Sequence, residues 1–490
     1  MNKLFKMLLF VCGFAMMLTS CSKDDDKNNN TNTNDETTVQ QAKYTIMIYG
    51  CGGANVDWQV DGAIDDMAKS LGVSNNQVRV TVMYSMSKDI STHQSIDPSV
   101  KPNHFYGEFG KTYRYELTKD FTKYANDLDA FRKDCFYKNA SEVELYKEST
   151  LVDYIKWAKQ TAPAENYILM PTNHGGGFDL DHEVFTRGIG YDDNHGNKGV
   201  AIKTIAEALK ETGKIKAIYW YGCLMGQLEV FTEVAPYCEY QFASSHVARI
   251  NNKHITGLID AINASPNDFE AAIAKQHTTI ETVNGDFLNV KDSKNPNIRH
   301  NENCDFGCWR SDKLAAINTQ VKALADLLAA NYATNASDID QATHLVYLFE
   351  KDCPYIDLLD YANLVSNYLQ NTTLKTQAEK IASDLHTAYN AATVYRFCGV
   401  NRKTSDGYFI APVVSGDKPG YSIGISVYAK NESTYTNYRA NYKASAFDAA
   451  TGWSKWLNVN NVAVKDSETN PCNDSSWETF WLEDPEDDED

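Results

Sequence analysis

Four short, strongly apolar runs that alternate with helical patterns limit what this chain can fold into more than any other feature. They lie at residues 44–49 (YTIMIY), 78–84 (VRVTVMY), 166–170 (NYILM) and 217–221 (AIYWY). Strands apolar on both sides must be covered on both sides, and a parallel sheet sandwiched between helices does this. The intervening segments carry helical spacing: Val60, Ile64, Met67 and Leu71 within 57–71, then 151–159 and 201–210. The pattern predicts an α/β fold, a mostly parallel sheet flanked by helices. Residues 312–390 differ, with helical patterns at 314–331 and 374–391 and no clear strand between them. Strand character returns at 407–414 and 421–430, so these C-terminal strands are expected to rejoin the sheet or form a small subdomain.

The two ends do not belong to that core. Residues 1–20 start with Lys3 and Lys6, continue in an apolar run at 7–18, and close on small residues before Cys21. The run is shorter than the roughly 20 residues needed to span a bilayer, so it reads as a cleaved secretion signal. Leu18-Thr19-Ser20-Cys21 resembles a bacterial lipobox, which makes Cys21 the expected lipidation site and the membrane a partner through that lipid. Residues 21–41 are polar and of low complexity, the composition of a flexible tether. The Lys-Asp-Asp start of the tether resembles an export signal for outer-membrane lipoproteins, and the expected location is the cell surface. At the other end, residues 483–490 hold seven carboxylates in eight positions, a self-repelling tail. The chain carries a formal net charge of −19, which argues against nucleic acid as a partner, since phosphate binding needs clustered Lys and Arg. The division is signal 1–20, tether 21–41, α/β core 42–310, helical region 311–400, C-terminal strands 401–465 and acidic tail 466–490.

There are eleven cysteines. With Cys12 in the signal, Cys21 lipidated and Cys223 set apart, eight remain: Cys51, Cys135, Cys238, Cys304, Cys308, Cys353, Cys398 and Cys472. Eight permit four disulfides in an oxidising compartment, and Cys304 with Cys308, beside Gly307, are spaced to bridge a tight turn. His182, His195, His246 and His254 show no metal-ligand spacing, and the metal content is left unknown.

The candidate chemistry sits at two strand ends. The third strand runs into Asn173-His174-Gly175-Gly176-Gly177 and the fourth into Gly222-Cys223-Leu224-Met225-Gly226. Reactive groups of open α/β sheets gather where strands end at their carboxyl edge, so neighbouring strands would bring His174 and Cys223 to one rim. Residues 224–234 read as a helix, which would place Cys223 at a helix N-terminus, a position that favours a thiolate. An imidazole titrates near working pH and can pass a proton to a departing amine. The glycines after His174, Gly175 first, allow backbone N–H groups to approach a substrate oxygen as oxyanion donors.

Four stretches resemble the clostripain family of cysteine peptidases, relatives of the caspases and gingipains. They are the opening strand, Asn173–Gly177, Cys223–Gly226 with Glu229, and Gly424-Ile425-Ser426-Val427-Tyr428, followed by Trp453 and Trp456 as an aromatic close. The resemblance implies a caspase-like sheet with a helical insertion, and a dyad of His174 and Cys223, 49 residues apart. It implies a cysteine endopeptidase acting on extracellular proteins or peptides. Members that cut after Arg or Lys commonly have Asp two residues before the cysteine. Here that pocket position is Tyr221, so strict Arg specificity is not expected. Residues 178–199, with Arg187 and Lys198, are placed where some relatives cut themselves. No cofactor is required, although calcium is left open, with Asp192 and Asp193 as oxygen donors. The alternative is a catalytically silent surface-binding lipoprotein on a peptidase-like scaffold. Natural substrate, disulfide pattern and oligomeric state are not legible.

Overall fold

The computed structural model describes residues 41–50, 57–73, 77–88, 107–117, 121, 123–124, 127–178, 188–246, 248, 252–287, 290–291, 299–300, 304–349, 354–404, 407–412, 425–429 and 432–460. The expected signal, Cys21 and the rest of the expected tether to residue 40, residues 51–56, His182, Arg187, Cys353, Cys472 and the expected acidic tail lie outside them.

In chain order the strands are β1 (Ala42–Gly50), β2 (Val78–Ser85), β3 (Lys111–Leu117), β4 (Phe136–Asn139), β5 (Ala164–Thr172), β6 (Ile189–Asp192), β7 (Lys198–Val200) and β8 (Ile215–Tyr219). After them come β9 (Cys238–Ala243), β10 (Val290–Lys291), β11 (Arg299–His300), β12 (Cys304–Arg310), β13 (Tyr355–Asp357), β14 (Thr393–Thr404), β15 (Gly407–Pro412) and β16 (Ser426–Tyr428). Ten of them form one sheet in the order β15-β14-β12-β9-β8-β5-β1-β2-β3-β4. The five central strands, β9 to β2, are parallel, and the strands on either flank are antiparallel. The fold is therefore α/β and caspase-like, with every apolar run expected to be a central strand lying in the parallel block.

Side-chain alternation assigns each strand residue to one of two cores. Met47, Tyr49, Leu169, Ile218 and Trp220 pack on the helices Glu148–Thr161, Ile202–Thr212 and Leu228–Val234. Tyr44, Ile46, Ile48, Ile168 and Tyr219 pack on the helices Asp57–Val73 and Asn252–Ala264. The long helix Leu314–Leu345, broken by non-helical backbone at Asn335, and the helix Thr372–Ala392 join the first core. No helix among the described residues is long and apolar enough to cross a membrane.

The late strands divide their roles. β14 and β15 extend the main sheet, whereas β16 pairs antiparallel with β13. A strand at β13 corrects the expectation of none within 312–390. With three residues and a helix starting immediately at Leu358, it is too short to show a period. Trp453 and Trp456 are buried, and Trp453 Nε1 donates to the carbonyl of Tyr428 at 2.9 Å.

The cysteine expectation fails. Cys304 and Cys308 sit on one extended strand, about 13 Å apart at a strand's rise per residue. A disulfide tolerates a Cα separation of up to about 7 Å. Cys135, Cys238 and Cys308 are buried free thiols, so the eight-cysteine, four-disulfide arrangement is not formed.

Candidate active site

β5 and β8 are parallel neighbours. Their tips stay hydrogen bonded past the regular strands, with Tyr221 N–H donating to Pro171 O at 3.0 Å and Asn173 N–H to Tyr221 O at 3.3 Å. Beyond that point each chain turns sharply. Asn173, just before His174, has φ 113°, and its Oδ1 accepts the His174 N–H at 2.5 Å. Leu224, just after Cys223, has φ 62°, and its N–H donates to His246 O at 2.9 Å. Non-glycine residues rarely take such angles, and here they flank both candidate residues.

The two loops touch. A Cβ on Gly175 would lie 2.1 Å from the carbonyl oxygen of Cys223 and 2.7 Å from its nitrogen. Only a glycine permits this approach, which lays the segment after His174 directly on the backbone of Cys223. Of Cys135, Cys223, Cys238 and Cys308, Cys223 alone is partly exposed. Burial pushes the thiols of Cys135 and Cys238 up to about 12, which makes them inert. His174 is part-buried, and burial lowers its pKa while the charge of Asp57 opposes that shift.

The sequence profile described as the Clostripain family matches residues 48–459. The chain belongs to the clostripain family.

It is thus a cysteine peptidase. Clostripain of Hathewaya histolytica is 23% identical over 432 residues, covering 80% of this chain and 76% of that protein. Among solved structures, a secreted C11 cysteine protease of Bacteroides thetaiotaomicron, in complex with an irreversible peptide inhibitor, is similar in fold. Its TM-score is 0.53 at 14% identity, covering 84% of this chain and 99% of the other. An inactive zymogen C11 protease of Parabacteroides distasonis gives a TM-score of 0.51 at 15% identity, with the same coverages.

In this clostripain-family chain the Cys223 loop is locked by buried polar groups whose role the sequence pattern does not reveal. Cys223 does not begin a helix, because the helix starts at Leu228 after an irregular turn. Leu224 and Met225 look helical by pattern, but both are apolar because they are buried beneath the turn. Asp305 of β12, 3% exposed, accepts from Ser244 Oγ at 2.7 Å and from the N–H groups of Ser245 and His246 at 3.0 Å. That segment holds the turn in place, since Gly226 N–H donates to Ser244 O at 2.8 Å and Leu224 to His246 O. On the other side, Ser426 N–H donates to Gly226 O at 2.9 Å. Glu229, fully buried, accepts from Tyr428 N–H at 2.8 Å and Tyr442 OH at 2.9 Å, and burial raises its pKa to about 7. An acid inside an apolar strand, as in Asp305-Phe306-Gly307-Cys308-Trp309, was the available signal for the first of these.

The remaining predicted residues fall as follows. Tyr221 is 6% exposed, in the core shared with helices Asp57–Val73 and Asn252–Ala264, and burial raises its hydroxyl pKa, with the Asp66 charge adding to it. Asp192 meets His195 Nδ1 at 2.8 Å and accepts from Leu145 N–H at 3.2 Å, while Asp193 accepts from Ser87 Oγ. No group of three or more His, Cys, Asp or Glu that could hold a metal occurs among the described residues.

Proposed function

We propose that this chain is an endopeptidase in which Cys223 is the nucleophile and His174 the proton carrier. The observation that carries the reading is the contact between Gly175 and the Cys223 backbone, at the tips of adjacent parallel strands. A histidine whose pKa is lowered by burial is neutral at pH 7, so its imidazole can accept the thiol proton of Cys223. The thiolate then attacks the substrate carbonyl carbon. The bridge between Gly175 and Ile189 uses the N–H groups of Gly176 and Gly190, leaving the Gly175 N–H outside it as a donor for the oxyanion. The imidazolium returns its proton to the departing amine, leaving a thioester that water hydrolyses by the same proton route. On this scheme the chemistry draws on protein groups alone.

Tyr221 offers no carboxylate to a basic side chain, and an unpaired buried charge is costly. Cleavage after Arg is therefore weakened. A fluorogenic peptide panel checks this, and dominant cleavage after Arg or Lys overturns it. Extracellular proteins or peptides are the substrate class, with the enzyme held at the outer-membrane surface through lipid on Cys21. Radiolabelled palmitate incorporation lost in Cys21→Ala tests the anchor.

For the dyad, an acyloxymethyl ketone probe should label the wild type and not Cys223→Ala. Turnover should fall at least ~10³-fold in both Cys223→Ala and His174→Ala. Undiminished turnover in either variant removes the reading.

A further inference from the structure

Four strand tips follow one another along the carboxyl rim, those of β2, β1, β5 and β8. The last two lead to His174 and Cys223. The tip of β1 lies beside that of β5, with Gly50 opposite Thr172, two residues before His174. The chain after β1 reaches Asp57, which opens the helix Asp57–Val73 and is fully buried. The tip of β2 holds this carboxylate by two donors, the Tyr84 hydroxyl on one oxygen and the Ser87 N–H on the other at 3.1 Å. Tyr84 is in turn packed against the tip of β1, where a Cβ on Gly50 would lie 2.3 Å from its ring.

We propose that Asp57 is a positioning residue for the reaction, a fixed negative charge on the side of His174 away from Cys223. The inference rests on the dyad reading given above. When His174 takes the Cys223 proton, positive charge appears on the imidazole, and a carboxylate already oriented by two donors steadies that charge without reorganising. No step passes a proton to Asp57, because the proton moves from sulfur to nitrogen and later to the leaving amine. The charge of Asp57 also acts on His174 in the required direction, favouring the protonated ring against burial. The Tyr191 ring of β6 lies 6.1 Å from the imidazole ring, and the carboxylate of the same strand, Asp192, is engaged by His195 and the Leu145 N–H. Of these acids, Asp57 is the one whose charge acts on the His174 titration.

The test uses the full chain and a fluorogenic peptide that the wild type cleaves. Asp57→Asn keeps the shape and should lower kcat at least ~10-fold with KM little changed. In a Cys223→Ala background, where no thiolate complicates the titration, labelled-histidine NMR should show His174 titrating at lower pH once Asp57→Asn is introduced. Tyr84→Phe should move both readouts the same way by less, and it carries the test if Asp57→Asn does not fold. Wild-type kcat in Asp57→Asn overturns the inference. So does lost activity with an unchanged His174 titration, which would mark Asp57 as structural only. The two readings fail separately: turnover surviving in Cys223→Ala or His174→Ala removes the dyad, whereas a silent Asp57→Asn with both of those inactive removes only Asp57.

Discussion

The loop after β5 and the loop after β8 end at the same rim but are held there by different forces. Around His174 the ties are single hydrogen bonds spread over neighbouring backbone and separate side chains, Asn173, Gln227 and Tyr355 among them. Gly176 N–H donates to Gly188 O at 2.8 Å, Gly190 N–H to His174 O at 2.8 Å, and Tyr355 OH to Gly176 O at 3.0 Å. Around Cys223 the ties converge on two buried acids, Asp305 and Glu229, each serving at least two donors. A hydrogen bond contributes about 1 kcal/mol net, and losing an acceptor shared by several buried donors leaves each of them unsatisfied at once. Cys223 therefore sits in a frame of converging ties, and His174 in one held bond by bond.

The largest expected effect breaks the contact that makes the two loops one site. Gly175→Ala forces a methyl into the Cys223 backbone and should lower kcat/KM ~100-fold, the scale of a displacement near 1 Å. Probe labelling of Cys223 should slow with turnover but not vanish, since the thiol is displaced and not removed. Next comes the frame of Cys223. Asp305→Ala strips the acceptor from three buried donors and should cost about 3 kcal/mol in denaturant unfolding, with activity falling alongside.

Glu229 sharpens the comparison through pH. Its folded pKa, about 7, lies above the ordinary 4.5, so across that window the folded chain keeps a proton that the unfolded chain releases. Stability then falls as pH rises from about 4.5 to about 7 and is flat above. Glu229→Gln should abolish that slope, a difference on the order of 2 kcal/mol between pH 5 and pH 8 in paired melts. A slope that survives in the variant belongs to another group. The smallest effect is on the other loop, where Tyr355→Phe removes one neutral bond to Gly176 O and should cost about 1 kcal/mol or less. A loss matching that of Asp305→Ala would erase the contrast.

How much of this was legible varies with the range of the interaction. The runs at 44–49, 78–84, 166–170 and 217–221 were read correctly as strands, because a doubly covered strand must be apolar throughout. Residues 224–234 were misread at their start, because burial under a turn and burial along a helix both select apolar residues. The C-x₃-C spacing of Cys304 and Cys308 suggested a bridge until an extended strand separated them. Asp305 could not be assigned, since its donors lie 59 to 61 residues away, and Glu229 accepts from Tyr428, 199 residues on.

By itself the amino-acid order determined that four doubly covered runs become strands, and that a histidine and a cysteine, each beside a glycine, stand beyond two of them. Those properties follow from local periodicity and backbone sterics, which act within a few residues. Folding alone decided that the two ends touch, that Cys223 rests on a turn rather than a helix, and that buried acids hold the turn. Such choices depend on hydrogen bonds and excluded volume between groups far apart in the chain, and no local pattern records them.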